Sequence, residues 1–556
     1  MASFWTCKVA DVGRSWVRPA DLRGLFAVLL MLAIMLGIAS VGAGGVLAQS
    51  APSAAAGPPG AGLAWGFNDS GQLGDGTTTT SSTPVAVDMP SGTTITAVAA
   101  AVGHSLALTS AGAVLAWGLN DLGQLGDGTT TTSSTPVAVD MPSGTTITAV
   151  AAGGFHSLAL TSAGTVLAWG FNAFGQLGDG TTTDSSTPVV VDVPSGTTIT
   201  AVAAGDSHSL ALTSAGTVLA WGFNGAGQLG DGTTTDSSTP VVVDVPSGTT
   251  ITAVGTGRFH SLAVASAGTV LAWGFNAFGQ LGDGTTTNRS TPVVVDVPSG
   301  TTITAVAAGR SYSLALASAG AVLAWGLNDL GQLGDGTTTD SSTPVVVDVP
   351  SGTTITAVAA GGFHGLALAS AGTVLAWGFN AAGQLGDGTT TDSSTPVVVD
   401  VPSGTAVAAG RFHSLAIVPP TSTTTLQVSP PDPKPNQDVT LTATVTCTTD
   451  TPTGSITFRT TTDLATVPLD HTNTATHTTR LPPGTHTLTA HYTSTNTCPS
   501  GQSESITITI TAPDDPDLPI TGPNLPTTIG TATLLILTGA ALVHLTRRYR
   551  PTHHPH

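Results

Sequence analysis

The stretch Leu167-Ala168-Trp169-Gly170-Phe171-Asn172, followed by Gly175-Gln176-Leu177-Gly178-Asp179-Gly180, decides the fold. Its Trp-Gly pair recurs at a constant spacing of 52 residues throughout the first three quarters of the chain. The seven tryptophans are Trp65, Trp117, Trp169, Trp221, Trp273, Trp325 and Trp377. Self-similarity at a fixed period of this length indicates an architecture of stacked structural repeats.

Each repeat predicts four short strands. In one unit they cover Ile199 to Ala204, His208 to Thr213, Thr217 to Gly222 and Pro240 to Val245. The first three are rich in Ala, Val and Leu, the fourth is β-branched, and tight turns containing glycine separate them. Four strands per repeat with glycine punctuation are typical of a β-propeller blade.

The ends of the repeat region favour a closed ring over an open solenoid. The first unit begins near Gly62, directly at its third strand, and the last unit ends with two strands, Ala406 to Ala409 and His413 to Ile417. Splitting one blade between the two ends closes the ring and leaves no free sheet edge there. We therefore predict seven blades over 62–418. The last unit lacks the Thr-Ile-Thr that precedes Ala357, which predicts an irregular seam.

The repeats resemble the regulator of chromosome condensation repeat family. The resemblance rests on Val-Ala-Ala-Gly-x-x-His-Ser-Leu-Ala-Leu, then Ala-Gly-x-Val, then Trp-Gly-x-Asn-x-x-Gly-Gln-Leu-Gly-x-Gly. It implies a seven-bladed propeller. The family's founding activity is nucleotide exchange on a nuclear GTPase together with chromatin binding. We expect neither activity here, because an exported propeller with four arginines and no lysine is poorly suited to both.

Composition agrees with an all-β chain that does not bind nucleic acid. Charged residues make up only 8%, against 68 Gly and 36 Pro, which excludes helical bundles and coiled coils. A hydrophobic content of 40% is enough for a core. The formal net charge of −19 lacks the clustered basic footprint of a nucleic-acid-binding protein.

The N-terminus predicts a signal peptide over 1–48, followed by a linker over 49–61. Lys8 and three arginines precede an apolar run from Leu25 to Ile38, and Val46-Leu47-Ala48 provides a small-residue cleavage site. These are the three parts of a secretory signal. An uncleaved membrane anchor is the alternative, because the basic region is long.

The C-terminal segment, 513–556, predicts a sorting signal with a transmembrane span at about 529–545. The motif Leu518-Pro519-Ile520-Thr521-Gly522 precedes that span, and three arginines follow it. This order resembles a Gram-positive cell-wall sorting signal. The resemblance implies that a sortase-type transpeptidase cuts between Thr521 and Gly522 and joins the chain to peptidoglycan. A single-pass membrane anchor remains the alternative, and an unsorted chain would stay in the membrane.

Between the propeller and the sorting signal, a linker over 419–425 precedes a Thr- and Pro-rich segment over 426–512. Its alternating strands suit a small β-sandwich, and Thr440 to Val445 together with Thr453 to Phe458 resembles bacterial immunoglobulin-like repeats. Cys447 and Cys498 remain once Cys7 leaves with the signal peptide, and two cysteines in one small exported domain suggest a disulfide. Two separate thiols are the alternative.

Residue types that could act in catalysis recur at the same repeat position from blade to blade. A histidine precedes the Ser-Leu or Gly-Leu of each second strand, except where Tyr312 stands. Catalysis needs one constellation with a unique third group, so we predict that these side chains bridge strands by hydrogen bonds. The Asp-Gly loops supply too few oxygen ligands for calcium. We predict no catalytic, cofactor-binding or metal-binding residue. The histidines are His104, His156, His208, His260, His364 and His413.

Two variable sites distinguish the otherwise near-identical blades. One follows the repeated Asn of the Trp-Gly-x-Asn motif, and the other precedes the histidine. Loops tolerate change and carry recognition, and Arg and aromatic residues are favoured in binding hot spots. We therefore predict a ligand-facing rim anchored by Arg258, Phe259, Arg310, Arg411 and Phe412. Neutral drift after duplication is the alternative.

The sequence thus predicts a secreted, non-enzymatic protein of the cell wall of a Gram-positive bacterium. A propeller head binds an extracellular protein or glycan, and a sandwich stalk carries it. A structural envelope protein without a specific ligand is the alternative. The ligand itself lies beyond the sequence.

Overall fold

The computed structural model describes residues 60–448, 451–496 and 498–512. All regular elements in these ranges are β-strands. The predicted signal peptide, the sorting motif at Leu518 to Gly522 and the predicted span at 529–545 lie outside the described residues. Within the described ranges, no helix is long and apolar enough to cross a membrane.

The strands of the repeat region are short and regularly spaced. In chain order they are β1 (Ala61–Gly66), β2 (Ser81–Ala86), β3 (Ile95–Ala100), β4 (His104–Thr109), β5 (Val114–Gly118), β6 (Ser133–Ala138), β7 (Ile147–Ala152), β8 (His156–Thr161), β9 (Val166–Gly170), β10 (Ser185–Val190), β11 (Ile199–Ala204), β12 (His208–Thr213), β13 (Val218–Gly222), β14 (Ser237–Val242), β15 (Ile251–Thr256), β16 (His260–Ala265), β17 (Val270–Gly274), β18 (Arg289–Val294), β19 (Ile303–Ala308), β20 (Tyr312–Ala317), β21 (Val322–Gly326), β22 (Ser341–Val346), β23 (Ile355–Ala360), β24 (His364–Ala369), β25 (Val374–Gly378), β26 (Ser393–Val398), β27 (Ala406–Ala409) and β28 (His413–Val418).

These strands form seven four-stranded antiparallel sheets, the blades of a propeller. Blades 1 to 6 take four consecutive strands each, beginning with β3, β7, β11, β15, β19 and β23. Blade 7 has the order β2-β1-β28-β27 and so combines both ends of the repeat region. Its two central strands pair without a bulge from Ala61 opposite Val418 to Gly66 opposite His413. The ring is therefore closed by strand pairing, as the split unit predicts.

The core of the propeller lies between blades. Seven buried clusters each join residues of two neighbouring blades, and one of them unites Leu415 of blade 7 with Ile95 and Trp117 of blade 1. The second strand of each blade is buried along its whole length because a neighbouring blade covers either face. The outer strand stays partly exposed. This explains why the inner strands read as continuous Ala, Val and Leu rather than as an alternation.

The strand limits predicted for one unit agree with the structure for the first two strands and shift for the others. The third strand, β13, begins at Val218, one residue later than predicted. The fourth, β14, covers Ser237–Val242 and not Pro240 to Val245. Ser237 pairs with Gly222 across a bulge, so the strand begins before the proline, and Asp244 already turns away to bond Gly230. The seam is irregular as predicted, since β27 has four residues where the other first strands have six.

A second group of strands forms the sandwich. They are β29 (Ser422–Ser429), β30 (Val439–Cys447), β31 (Gly454–Arg459), β32 (Asp463–Pro468), β33 (Thr474–Thr479), β34 (Gly484–Ser494), β35 (Gly501–Gln502) and β36 (Ile506–Ile510). One sheet has the order β29-β30-β33 and the other β32-β31-β34-β35, with β36 on β34. A buried core between them includes Leu441, Phe458 and Tyr492.

The sandwich begins earlier than the sequence predicts. Strand β29 starts at Ser422, inside the stretch 419–425 predicted as a linker, and pairs with β30 over its whole length. Its Thr-rich sequence alternates buried and exposed positions, which is strand behaviour rather than linker behaviour. Cys447 and Cys498 form a disulfide, with their Cα atoms 5.8 Å apart. The bond ties the end of β30 to the loop that follows β34.

Candidate ligand-binding face

The turn between the first and second strand of each blade faces one end of the propeller axis. First strands of successive blades pack against one another around the axis, including β27 against β3. Turns of neighbouring blades are joined by backbone hydrogen bonds, from Gly154 to the Gly205 carbonyl at 3.0 Å and from Arg411 to the Ala101 carbonyl at 2.9 Å. Because every turn has the same place in its blade, the turn residues form one ring around the mouth of the axis.

One position of this ring carries the charged residues of the variable site. It holds a charged side chain in blades 3, 4, 5 and 7, and Asp206 acts electrostatically on all three arginines. Arg258 Nε lies 3.1 Å from Asp206 Oδ2, and both side chains are buried. The ring members are Val102, Gly154, Asp206, Arg258, Arg310, Gly362 and Arg411. Three of the five predicted rim residues are thus brought together, beside an aspartate that was not among them.

Burial and neighbouring charges shift the pKa values of the ionisable side chains at the mouth. Burial raises the pKa of Asp206 to about 7, although the nearby arginines act in the opposite direction. Burial also lowers the pKa of Arg411 to about 10, Asp206 opposes this shift, and the other two arginines add to it. The pKa of Arg310 falls for the same reasons. Arg411 Nε is buried and makes no hydrogen bond to any of the described residues.

The arginines rest on phenylalanine rings. The Arg258 guanidinium lies 4.5 Å from the centre of the Phe259 ring, and that of Arg411 lies 4.7 Å from the centre of Phe412. Arg310 reaches the next blade, where its guanidinium lies 5.0 Å from the Phe363 ring. Such cation–π contacts hold a guanidinium over a ring without neutralising its charge. Phe259 and Phe412 thus lie directly beside the arginines of the predicted rim.

Further phenylalanines extend this surface beyond the five predicted anchors, and those that follow Trp-Gly were missed by the rim prediction. The residue after each Trp-Gly pair is Phe or Leu, and four of the five phenylalanine rings contact turn phenylalanines, as in Phe67 with Phe412 and Phe223 with Phe259. Phe174 and Phe278, from the other variable site, lie edge-on to rings of this set. The signal was present as a repeated aromatic after Trp-Gly. We define the axial face as the turn ring, its arginines and these phenylalanines.

The repeated histidines connect blades. His156 Nε2 lies 2.9 Å from Ser209 Oγ of the next blade, and Ser209 donates its own proton to the Gln176 carbonyl. Since the hydroxyl proton is already committed, the histidine must donate from Nε2. Trp221 donates to the same carbonyl. All six histidines are fully buried, and burial lowers their pKa values to about 3.

The histidines therefore bridge strands as predicted, and the strands that they join belong to neighbouring blades. We call the six histidines and their serine partners the belt. The belt continues through blade 7, where His413 meets Ser105 of blade 1. Tyr312 takes the histidine position in blade 5 and donates to the His364 carbonyl instead. No serine of the belt is exposed, which leaves no room for a substrate at its hydroxyl.

The Asp-Gly loops are closed by their own hydrogen bonds. Asn172 donates to Asp179, Thr181 and Thr183 and accepts from the backbone of Leu177. In the part of the chain that the structure describes, no group of three or more His, Cys, Asp or Glu is placed to hold a metal ion. The loop asparagine thus organises the turn.

Comparison with known proteins agrees with this geometry. The family described as RCC1-like domain matches residues 61–416. The chain belongs to this family. A bacterial Ig-like domain (group 3) matches residues 425–511, in agreement with the sandwich.

Relatives with an RCC1-like propeller differ widely in how much of their own chain the propeller occupies. The Ultraviolet-B receptor UVR8 of Arabidopsis thaliana is 33% identical over 356 residues, covering 64% of this chain and 81% of the receptor. The E3 ubiquitin-protein ligase HERC2 of Homo sapiens is 34% identical over 375 residues, covering 66% of this chain but only 8% of the ligase.

Solved structures show the same architecture. Human WBSCR16 has a TM-score of 0.59 at 25% identity and covers 65% of this chain and 98% of its own. Prp20p of Saccharomyces cerevisiae has a TM-score of 0.57 at 25% identity, with coverage of 65% and 91%.

Proposed function

We propose that this chain is a surface protein of a Gram-positive bacterium whose RCC1-like propeller binds an extracellular protein or glycan. The observation that carries the proposal is the axial face, where arginines and phenylalanines of several blades, most of them partly exposed, converge on one mouth. Arg and aromatic residues are enriched in binding hot spots. The yeast relative Prp20p is described with binding properties to Gsp1p and histones. A propeller that binds a partner is the function most consistent with this relative.

The propeller acts by binding and not by catalysis. Its six His side chains are neutral, buried and equivalent, and the serine hydroxyls beside them donate to backbone carbonyls. A nucleophile needs an accessible hydroxyl with its proton directed at a base. Neither condition holds at the belt.

An array of extracellular matrix proteins, host surface proteins and glycans, probed with the purified protein, tests the binding function. We expect saturable binding to at least one class, weakened when Arg258, Arg310 and Arg411 are all replaced by Gln. Unchanged binding by that variant would refute the axial face as the site. Absence of saturable binding throughout would favour a purely structural envelope protein.

Covalent anchoring completes the proposal. Leu518-Pro519-Ile520-Thr521-Gly522 precedes an apolar segment and a basic tail, which supports cleavage by a sortase-type transpeptidase and transfer of Thr521 to peptidoglycan. Mass spectrometry of muramidase-digested walls should detect a peptide ending at Thr521 joined to a peptidoglycan fragment. Wall attachment that persists unaltered in Thr521→Ala would overturn this route.

A further inference from the structure

We propose that the propeller carries O-linked sugars on one threonine of each blade. This residue is the second of the consecutive threonines that follow each Asp-Gly pair, and we call it the tip threonine. The modification does not depend on what the axial face binds, so the sugars and the binding function can fail separately. The seven tip threonines are Thr78, Thr130, Thr182, Thr234, Thr286, Thr338 and Thr390.

The tip threonine offers a hydroxyl that its own loop does not use. In blade 4 the tip residue is Thr286, in the connection between β17 and β18, and its side chain is exposed. It makes no hydrogen bond to any of the described residues. The other six tip threonines are exposed and unbonded in the same way. Each blade therefore presents one accessible hydroxyl at an equivalent place.

The threonine before the tip has a fully engaged hydroxyl instead. Thr285 Oγ1 donates to Asp283 Oδ1 at 2.7 Å and accepts from Asn276 Nδ2 at 3.3 Å. It also accepts from the backbone N–H of Thr287 at 3.4 Å. A hydroxyl has one proton and two lone pairs, so Thr285 has none left for a further group. The bond to aspartate recurs in all seven blades.

The sequence and charge of the loop favour a sugar over a phosphate. Each loop is a run of Thr and Ser that ends at a proline, as in Thr181 to Pro188, and such runs are typical of O-glycosylated segments. A phosphate would add close to two negative charges beside the aspartate of the loop. The chain already has a net charge of −19. A neutral sugar adds no repulsion.

The outer strands show what the sugars do for the protein. Each tip threonine lies in the connection that leads into an outer strand, and five of these strands end in a valine that is 55% to 62% exposed. Exposed apolar edge strands tend to pair with other chains, whereas sugars are bulky and solubilising. Sugars at the tips hinder such edge-to-edge association. The five valines are Val190, Val242, Val294, Val346 and Val398.

The transfer is a substitution at the anomeric carbon of a sugar carried on a polyprenyl phosphate. Oγ1 of the tip threonine forms a bond to that carbon, the bond from the carbon to the phosphate oxygen breaks, and the phosphate leaves with the electron pair. The hydroxyl proton passes to a basic group of the transferase. Since the attacking oxygen needs a free lone pair, Thr286 can react and Thr285 cannot.

Mass spectrometry of the protein purified from the producing bacterium tests this proposal in blade 4. Trypsin cuts after Arg258 and Arg289, so the peptide 259–289 contains a single loop. We expect this peptide to carry the added mass of hexose, which electron-transfer fragmentation should place on Thr286 and not on Thr285. Thr286→Val should remove the sugar, whereas Thr286→Ser keeps a hydroxyl and should retain it. The matched control is Thr269→Val, which removes an exposed threonine of the same peptide outside the run.

Four outcomes overturn the inference. They are a peptide 259–289 of unmodified mass, a sugar on Thr285, a phosphate in place of the sugar, and a sugar that persists in Thr286→Val. Because the Thr286 side chain is exposed and unbonded, its variants should keep the thermal unfolding midpoint of the protein, which separates loss of the sugar from loss of the fold. None of these outcomes changes the binding expected at the axial face, which the protein and glycan array tests by itself.

Discussion

Tyr312 and Gly365 depart from the repeat at two positions that would otherwise meet. In other blades a histidine bonds the serine of the next blade, as His260 does with Ser313. In blade 5 the larger Tyr312 passes the serine position, where Gly365 stands, and reaches the His364 carbonyl. A Cβ on Gly365 would lie 2.5 Å from the Trp377 indole. The two exceptions therefore compensate each other.

A double-mutant cycle tests this compensation. Gly365→Ser should destabilise the protein by crowding Trp377, and Tyr312→His should destabilise it by burying an imidazole without its serine. The double variant recreates the ordinary histidine–serine pair and should recover most of the loss, with a coupling of about 1–3 kcal/mol in chemical denaturation. Additive losses would show that the two exceptions are independent.

Asp206 makes ligand binding depend on pH. Its pKa of about 7 means that the carboxyl takes up a proton as the pH falls from 8 to 6, whereas Arg411, with a pKa of about 10, stays charged and His208, with a pKa of about 3, stays neutral. The mouth gains one positive charge on acidification. A negatively charged ligand of the axial face, found on the protein and glycan array, should therefore bind several-fold more tightly at pH 6 than at pH 8, measured by fluorescence polarisation. Asp206→Asn should flatten this profile, and an unchanged profile in that variant would assign the effect to another group.

At the scale of the strand, the first strand of blade 7 lacks the Thr-Ile-Thr segment and with it a buried isoleucine. In the other blades the first strand opens with a buried isoleucine whose N–H bonds a glycine carbonyl of the preceding blade, as Ile199 does with Gly164. In blade 7 Gly404 makes the corresponding bond to Gly372. The backbone role is kept, but the apolar side chain is lost.

Restoring the segment should stabilise the ring. Inserting Thr-Ile-Thr between Thr405 and Ala406 returns the isoleucine to a position that is buried in all six other blades. Burial of that side chain is worth about 1.5–3 kcal/mol, so the thermal unfolding midpoint should rise. The matched control inserts Thr-Ser-Thr, which has the same length without the apolar side chain. Equal midpoints for the two insertions would contradict this account.

How far the sequence predicts each strand depends on the interactions that form it. The first two strands of a blade follow from local apolar runs, and their limits agree with the structure. The fourth strand shifts because Ser237 pairs with Gly222 through a bulge, a contact that no local pattern records. Strand β29 was missed because its Thr-rich sequence resembles a linker, and only pairing with β30 makes it a strand.

For the whole molecule, the ring was predictable and the chemistry of its mouth only in part. Seven equal repeats with one split unit imply closure, whatever the side chains. The rim arginines could be found as exceptions to the repeat, but the ion pair of Arg258 and the ring contact of Arg310 join residues of different blades. Arg258 meets Asp206 and Arg310 meets Phe363 only after the blades assemble. Spacing within one repeat cannot show such pairs.

The histidine belt makes the stability of the whole ring sensitive to acid. Six histidines have pKa values of about 3 in the folded protein and about 6.5 when unfolded. A lowered basic pKa contributes stability above pH 6.5 that is lost as the pH falls toward 3, because the unfolded chain binds the extra protons. For six such groups the free energy of unfolding should fall by up to about 8 kcal/mol per pH unit in this window.

Chemical denaturation between pH 7 and 5 measures this slope. His156→Gln provides the matched variant, since its amide can still donate to Ser209 but does not titrate. It should lower the slope by about 1.4 kcal/mol per pH unit, the share of one proton. Because each histidine bonds the next blade, the loss on acidification is spread around the ring, and no single blade should unfold first. A slope that His156→Gln leaves unchanged would mean that carboxylates, and not the belt, control acid unfolding.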